Sequence, residues 1–318
     1  MTIHILPDVA LLGTFDFYLD DARIDAWHTL VHVCQKWRNV VFGSPRRLDL
    51  KLQFKPTTRI RDADKVWPPL PISISVFNHR IKLINRIRST LEHNDRIREL
   101  TLWRVPSDQL DEILRGMQQP YLELTQLTLE PGDEKASNAP ASFLGGSAPR
   151  LRELNFYHIR FPGLPDLLLS TTHLVHLQLI HIPHLGYISP EAMVTCLSVL
   201  IKLETLILEF ETPRTRRDRK SRPPAHALLP VLTKFHFKGL GKYLEDLVVP
   251  LDAPLLNDLN IKFFHQPTID TPQLAQFIRR TPKFKAHDEE TVVFTEEDVS
   301  VTLPQTFDGE LHVGIEWD

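Results

Sequence analysis

Seven short segments of the chain repeat one pattern of apolar and polar positions. Each has a leucine-like residue at its first, fourth and sixth places, and most of the places between hold polar residues. The segments begin 27, 27, 23, 29, 29 and 24 residues apart, so the chain is built from structural repeats. They span residues 97–102, 124–129, 151–156, 174–179, 203–208, 232–237 and 256–261.

A β-strand in each repeat explains this pattern. Side chains alternate between the two faces of a strand, so the fourth and sixth places point to the same face. One repeat cannot bury that face, whereas stacked repeats bury it together. The spacing is that of leucine-rich repeats. The predicted fold class is therefore α/β, an irregular leucine-rich-repeat solenoid with a parallel sheet and helices on its convex side.

An ordinary α/β domain whose leucine-rich strands cluster by chance is the alternative. Neither a Rossmann nor a Walker glycine pattern occurs in the chain, so no nucleotide-binding motif supports it.

The first 45 residues have a helical pattern instead. Leu11, Leu12, Phe15 and Tyr18 recur at the spacing of a helical stripe. A second helix is predicted to begin near residue 25, to run without a break, and to end at Gly43-Ser44-Pro45. The predicted domains are a helical domain over 1–45 and a repeat domain with a C-terminal cap over 46–318.

Two motifs in this region resemble an F-box, the module that begins with Leu-Pro and ends with Val-Cys-x-x-Trp-Arg. They are Leu6-Pro7 and Val33-Cys34-Gln35-Lys36-Trp37-Arg38. With its irregular repeats and the Trp67–Pro71 stretch, the chain resembles the F-box-like proteins abundant in mushroom-forming fungi. The resemblance implies that residues 3–45 bind the Skp adaptor of a Skp-Cullin-F-box ubiquitin ligase. The adaptor-facing positions that it implies are Leu6, Pro7, Leu11, Leu12, Phe15, Leu30, Cys34 and Trp37.

Three features depart from the family pattern. Val9-Ala10 stands where the family often has an acidic pair, Gly13-Thr14 is expected to interrupt the first helix, and residues 18–26 form a longer, acidic connection. Packing inside the bundle is the alternative role for each adaptor-facing residue. A bundle of about 40 residues buries little surface, so some of its apolar residues are expected to cover the repeats or a partner.

Further elements are predicted around the seven segments. Alternating residues predict strands at 48–52 and 72–76 and, as final strands and a cap, at 292–294, 299–303 and 311–315. Ser107 is expected to be the N-cap of a helix, and the glycine- and proline-rich segment 131–148 is expected to be a mobile surface loop. Other predicted helices span 78–95, 164–169, 190–200, 240–249 and 274–278.

The residues between the leucines are predicted to face away from the core, on the concave side. This row mixes aromatic, polar and late basic groups, which are typical of protein-binding faces; solvated strand surface is the alternative. The residues proposed to bind a target are Glu99, Trp103, Glu153, Asn155, Tyr157, His176, Gln178, Lys234, His236 and Lys262.

The charge balance and the cysteine content of the chain indicate which partners it binds and in which cellular compartment it is expected. The 37 basic and 40 acidic residues nearly balance, so no overall field attracts nucleic acid or an anionic membrane. The two cysteines, Cys34 and Cys196, lie in apolar contexts that favour reduced thiols. The N-terminus lacks the features of a secretory signal, and no apolar run approaches about 18 residues. A cytoplasmic or nuclear protein is predicted, with no membrane or nucleic-acid partner.

No motif indicates catalysis, a cofactor or a metal. His173, His176, His181 and His184 are close in sequence, but no cysteine or carboxylate joins them, and zinc requires about four convergent ligands. The basic run between Pro213 and Pro224 is interpreted as a solvated loop, with a nuclear-import signal or an anionic-partner patch as the alternatives.

The leading hypothesis is therefore a non-catalytic substrate receptor, in which the F-box binds the adaptor and the repeats bind a target protein. The alternative is an interaction scaffold whose helical bundle only caps the solenoid.

Overall fold

A computed structural model shows how the repeats assemble. It describes residues 6–21, 27–44, 52–54, 70–77, 84–213, 226–264, 271–284, 291–294, 298–302 and 310–316. Its α-helices are α1 (Asp8–Asp21), α2 (Trp27–Val33), α3 (Gln35–Gly43), α4 (Ile84–Leu91), α5 (Ser107–Gly116), α6 (Leu164–Ser170), α7 (Pro190–Leu197), α8 (Gly241–Val248) and α9 (Pro272–Arg280).

The strands are β1 (Leu52–Phe54), β2 (Ile72–Phe77), β3 (Ile97–Val105), β4 (Gln126–Pro131), β5 (Ser137–Asn138), β6 (Glu153–Tyr157), β7 (Ile159–Arg160), β8 (His176–Ile182), β9 (Thr205–Phe210), β10 (Ala227–Leu228), β11 (Lys234–Gly239), β12 (Leu251–Asp252), β13 (Asp258–Phe264), β14 (Thr291–Phe294), β15 (Asp298–Thr302) and β16 (Glu310–Glu316).

One sheet of twelve strands dominates the structure. Its order is β1-β2-β3-β4-β6-β8-β9-β11-β13-β16-β15-β14. All neighbours from β1 to β16 pair in parallel, and at the far edge β15 pairs antiparallel with both β16 and β14. The chain is therefore α/β with a large parallel sheet, as predicted, and this arrangement is compatible with a solenoid-like fold.

The seven segments stack in register. The fourth places of successive segments pair across the sheet, for example Leu127 with Leu154 and Leu177 with Leu206. All 21 apolar places of the seven segments are at most 3 % exposed. The strand edge that each repeat would expose is covered by the next repeat. The strand predicted at 311–315 is β16, and it pairs with β13 in the same register.

Helices cover the apolar face of the sheet. Neighbouring helices contact one another along the array, from α6 to α7, α8 and α9, and α5 and α8 also contact strands. Carboxylates from adjacent repeats satisfy the free N–H groups at helix starts, which have no partner within the helix. The Glu245 carboxylate accepts hydrogen bonds from the backbone N–H groups of Gln273 and Leu274, both at 2.8 Å.

Ser107 is not the N-cap that its residue type predicts. Helix α5 is preceded by Pro106, and Ser107 is its first helical residue. The backbone N–H of Ser107 and its hydroxyl both donate to the Asp133 carboxylate, at 3.0 and 3.2 Å. The cap is therefore supplied from the next repeat.

Segment 131–148 was predicted to be a mobile loop, and this prediction is wrong. It contains β5 and a 3-10 helix over Phe143–Gly146, and Phe143 and Leu144 are fully buried. Gly145 has a φ of +58° and lies so close to Pro120 that a Cβ atom would come within 2.9 Å of it. Glycine is thus used here for close packing rather than for mobility.

The N-terminal helices differ from the prediction in two ways. Helix α1 continues through Gly13-Thr14 without a break, because a glycine within a helix costs only about 1 kcal/mol and the Thr14 hydroxyl bonds back to the Ala10 carbonyl at 3.0 Å. The second helix, predicted to be continuous, is divided at Cys34, whose φ of −160° and ψ of 170° are extended.

Several predictions fall outside the described residues. These are most of the strand at 48–52, most of the Trp67–Pro71 stretch, the first part of the helix at 78–95 and the basic run from Arg214 to Arg222.

Replacing one residue of the buried frame should strongly destabilise the protein. We expect Leu177→Ala to lower the free energy of unfolding by about 3 kcal/mol, because it leaves a cavity in the stacked core. Ile201→Ala is the matched control: Ile201 is 55 % exposed, and a change below about 0.5 kcal/mol is expected. Urea unfolding measures both, and equal losses would contradict the stacking of these leucines.

Candidate functional site

The sheet face opposite the helices carries the residues predicted to bind a target. We call it the open face. Its side chains alternate with the buried leucines and are mostly half-buried; Lys262 is exposed. The pairing places them in rows across the strands. One row runs Glu99, Gln126, Glu153, His176, Thr205, Lys234 and Asp258, and a second runs Thr101, Thr128, Asn155, Gln178, Ile207, His236 and Asn260.

Charge and aromatic groups are unevenly distributed over this face. Its front half, on β3, β4 and β6, carries the carboxylates Glu99, Glu130 and Glu153 together with Trp103 and Tyr157. Its back half, on β11 and β13, carries Lys234, His236, Lys238 and Lys262, with Asp258 among them. The open face is therefore acidic and aromatic at the front and mainly basic at the back.

The centre of the front half is formed by Trp103, Glu130 and Tyr157. The two rings meet edge to face with their centroids 5.4 Å apart. Glu130 lies on β4, between the strands of the two aromatic residues, and its side chain is 19 % exposed. Burial raises the pKa of the Glu130 carboxyl, with Arg104 and His181 opposing that shift. Burial and the nearby Glu130 and Glu209 carboxylates raise the pKa of Tyr157.

Three residues at the ends of these strands have left-handed backbone conformations. Arg104, His158 and His181 have φ of 54°, 54° and 53°, and each stands two places after the sixth position of its segment. Residues other than glycine rarely adopt this backbone conformation, and such conformations concentrate at binding sites. The strand pairing shifts register beside Arg104 and beside His181. The Nε2 atom of His158 lies 3.4 Å from a Glu211 carboxylate oxygen.

The back half has its own ion pairs. The Asp258 carboxylate lies 3.3 Å from the Lys234 ammonium and 3.1 Å from the His236 Nε2 atom. The Lys238 ammonium lies 5.8 Å from the centroid of the Phe264 ring. On the open face of β11 and β13 themselves, one carboxylate, Asp258, lies among three lysines and one histidine.

Sequence reasoning found Trp103 and Tyr157 but missed Glu130 and Arg104. Glu130 occupies the seventh place of its segment, as Trp103 and Tyr157 do in theirs, so the same alternation could have found it. The left-handed turn at Arg104 has no signal in the sequence, because arginine is not a residue that favours this conformation.

The residues predicted to face the adaptor divide into three groups by burial. Leu11, Leu12, Phe15 and Leu30 are buried within the bundle, at 9 % exposure or less. Cys34 and Trp37 are half-buried, and the Trp37 ring packs edge to face on Phe15 with centroids 4.8 Å apart. Leu6 and Pro7 are exposed at the start of α1.

Further apolar residues of the bundle are exposed, including Val9 on α1 and Val33 at the end of α2. Val9 is 72 % and Val33 is 50 % exposed. The Lys36 ammonium donates to the Leu6 carbonyl at 2.7 Å and lies 3.7 Å from the Asp8 carboxylate, so α3 holds the start of α1. Leu6, Pro7 and Val9, which are close in sequence at the start of α1, are the bundle patch.

An apolar cavity lies on the other side of the sheet, under the helices. Its volume is about 10 Å³, and it is lined by side chains including Phe156, Phe161, Met193 and Phe210. The hydroxyl of Tyr243 also lines it and has no hydrogen-bond partner among the described residues. Burial raises the pKa of this tyrosine well above its ordinary value, which keeps the hydroxyl neutral.

The four histidines that are close in sequence do not converge on one site. The His173 Nδ1 atom lies 2.9 Å from the Lys202 ammonium, His176 lies on the open face, and His181 and His184 are exposed. Across the described part of the chain, no three His, Cys, Asp or Glu side chains are placed to hold a metal ion. No helix in those same residues is long and apolar enough to cross a lipid bilayer.

No protein-family model matches the chain, and no curated protein matches its sequence.

The raised pKa of Glu130 predicts a pH-dependent effect of its removal. A carboxyl whose pKa is raised by folding destabilises the fold once pH exceeds its ordinary value of 4.5, because its charged form is disfavoured there. Glu130→Gln should therefore raise the melting temperature at pH 7 and have little effect at pH 4. Thermal unfolding at both values measures this, and a lower melting temperature of the variant at pH 7 would show that the ion pair with Arg104 dominates instead.

Proposed function

We propose that this chain is a non-catalytic substrate receptor of a Skp-Cullin-F-box ubiquitin ligase. In this proposal α1–α3 form an F-box that binds a Skp-type adaptor, and a leucine-rich-repeat solenoid binds a target protein on its open face. Holding the target and the ligase in one complex raises their effective concentration and requires no catalytic group in this chain. A cytoplasmic or nuclear location follows from the same proposal.

The bundle patch is the observation that carries the adaptor half of the proposal. Exposed apolar residues that cluster on a small domain mark interaction sites, and Leu6-Pro7 is also the motif with which an F-box begins. The buried residues Leu11, Phe15 and Leu30 support the patch from inside rather than form it. In this proposal the bundle patch and the half-buried Cys34 and Trp37 therefore contact the adaptor.

The open face supports the second half of the proposal, that the repeats bind a target protein. It presents half-buried aromatic and charged side chains in rows across seven parallel strands. Aromatic residues surrounded by polar groups dominate the binding energy of many protein interfaces.

A binding experiment with purified Skp adaptor tests the first half. We expect the wild-type chain to bind and the double variant Leu6→Asp, Pro7→Ala to bind at least about tenfold more weakly, because a carboxylate would be buried in the interface. The control is Phe17→Asp, which introduces the same charge at a site that is 79 % exposed and lies about 16 Å further along α1. It should bind within about twofold of wild type.

Absence of wild-type binding, or undiminished binding by the double variant, would remove the ligase assignment.

One observation favours a second candidate, a scaffold whose bundle only caps the solenoid. The buried residues of the bundle belong to one apolar cluster with those of the repeats. If capping were the only role, deletion of residues 1–45 would unfold the array. We expect the truncated chain to stay folded and to melt within about 3 °C of the full chain, because β1 and β2 already cover the edge of β3.

A further inference from the structure

The front half of the open face contains an incomplete ion pair. The Glu130 carboxylate is partly withdrawn from water, at 19 % exposure, and its nearest cation among the described residues is Arg104, whose Nε atom lies 3.8 Å away. That distance is too long for a hydrogen bond. The Arg104 side chain is itself 61 % exposed, so water competes for its charge and its pairing with Glu130 is weak.

The side chains around Glu130 are suited to a cation. Trp103 and Tyr157, on the two neighbouring strands, meet edge to face with centroids 5.4 Å apart. Aromatic rings attract cations electrostatically, most strongly when the cation is removed from water. A carboxylate beside them supplies the second component, because it accepts two parallel hydrogen bonds from a guanidinium.

We propose that Trp103, Glu130 and Tyr157 form a site that binds an arginine side chain of the target protein. The guanidinium contacts the two rings and pairs with the Glu130 carboxylate, displacing Arg104 from it. The inference rests on the proposed function in one respect, namely that the open face binds a protein.

The charge of the rest of the open face constrains the same target. Lys238 on β11 pairs with Lys262 on β13 and, on its other side, with Glu209 on β9, so two ammonium groups and one carboxylate lie side by side there. Four strand spacings separate β4 from β11, which is about 19 Å at about 4.8 Å per strand. A segment that places arginine over Glu130 therefore meets positive charge roughly six extended residues further on, so acidic residues are favoured at that point.

The test uses the full chain and the peptide acetyl-Gly-Gly-Arg-Gly-Gly-amide as the probe. We expect it to shift the indole N–H resonance of Trp103, assigned with Trp103→Phe, with a dissociation constant on the order of millimolar. The matched control peptide carries citrulline, which has the shape of arginine without its charge, and should bind at least about tenfold more weakly. Equal binding of the two peptides would overturn the proposal, since it would reflect ring contact alone.

Two variants separate the roles of the charged residues. Glu130→Gln should weaken binding of the arginine peptide at least about tenfold, because it removes the charge of the acceptor. Arg104→Gln should strengthen binding by roughly twofold to fivefold, because a half-exposed ion pair no longer competes. A purely structural Glu130–Arg104 pair predicts no gain in the second variant, so unchanged or weaker binding by Arg104→Gln counts against the site.

A control variant completes the design. Glu204→Gln removes an exposed carboxylate at the opposite end of the strands and should leave peptide binding unchanged; a loss equal to that of Glu130→Gln would indicate nonspecific attraction and reject the site. The experiment contains no adaptor. Failure of the peptide to bind would therefore remove only this inference, whereas failure of adaptor binding would remove the ligase assignment.

Discussion

Burial of the repeated apolar frame is the constraint on which the rest of the structure depends. Each repeat presents three apolar side chains that it cannot cover alone, and all of them become buried when the strands align. A shift of one residue would turn the frame toward solvent, because side chains alternate along a strand. Parallel strands with equivalent residues side by side are therefore strongly favoured.

This alignment also builds the candidate site. When the leucines stack, the residues between them stack as well, at about 4.8 Å from strand to strand. Residues that are 27 positions apart in the chain, such as Glu99 and Gln126, become neighbours on the open face. Polar contacts between repeats reinforce the same alignment, as where the Asp111 carboxylate accepts a hydrogen bond from the Asn138 backbone N–H at 2.7 Å. One packing rule thus positions both the core and the surface.

The N-terminal bundle buries only part of its apolar surface, because it has few residues. Its three helices bury Trp27, Val31 and Val41 almost completely, yet leave Val9 and Phe17 largely exposed. A bundle of this size has too little volume to enclose all its apolar side chains. Binding of a partner would bury the apolar side chains that remain exposed at the start of α1. The hydrogen bond from the Lys36 ammonium to the Leu6 carbonyl holds these residues in a defined position.

The sequence by itself determined the repeating strands, the helices on one side and the residues of the open face, because these follow from the periodicity of apolar residues. It did not determine the break at Cys34, the cap from Asp133 or the buried segment around Phe143. The cap and the buried segment depend on contacts between residues distant in the chain, whose effect exceeds local preference. The pairing of Trp103 with Tyr157 across Glu130, and the left-handed turn that brings Arg104 beside it, likewise arose only when three repeats were stacked.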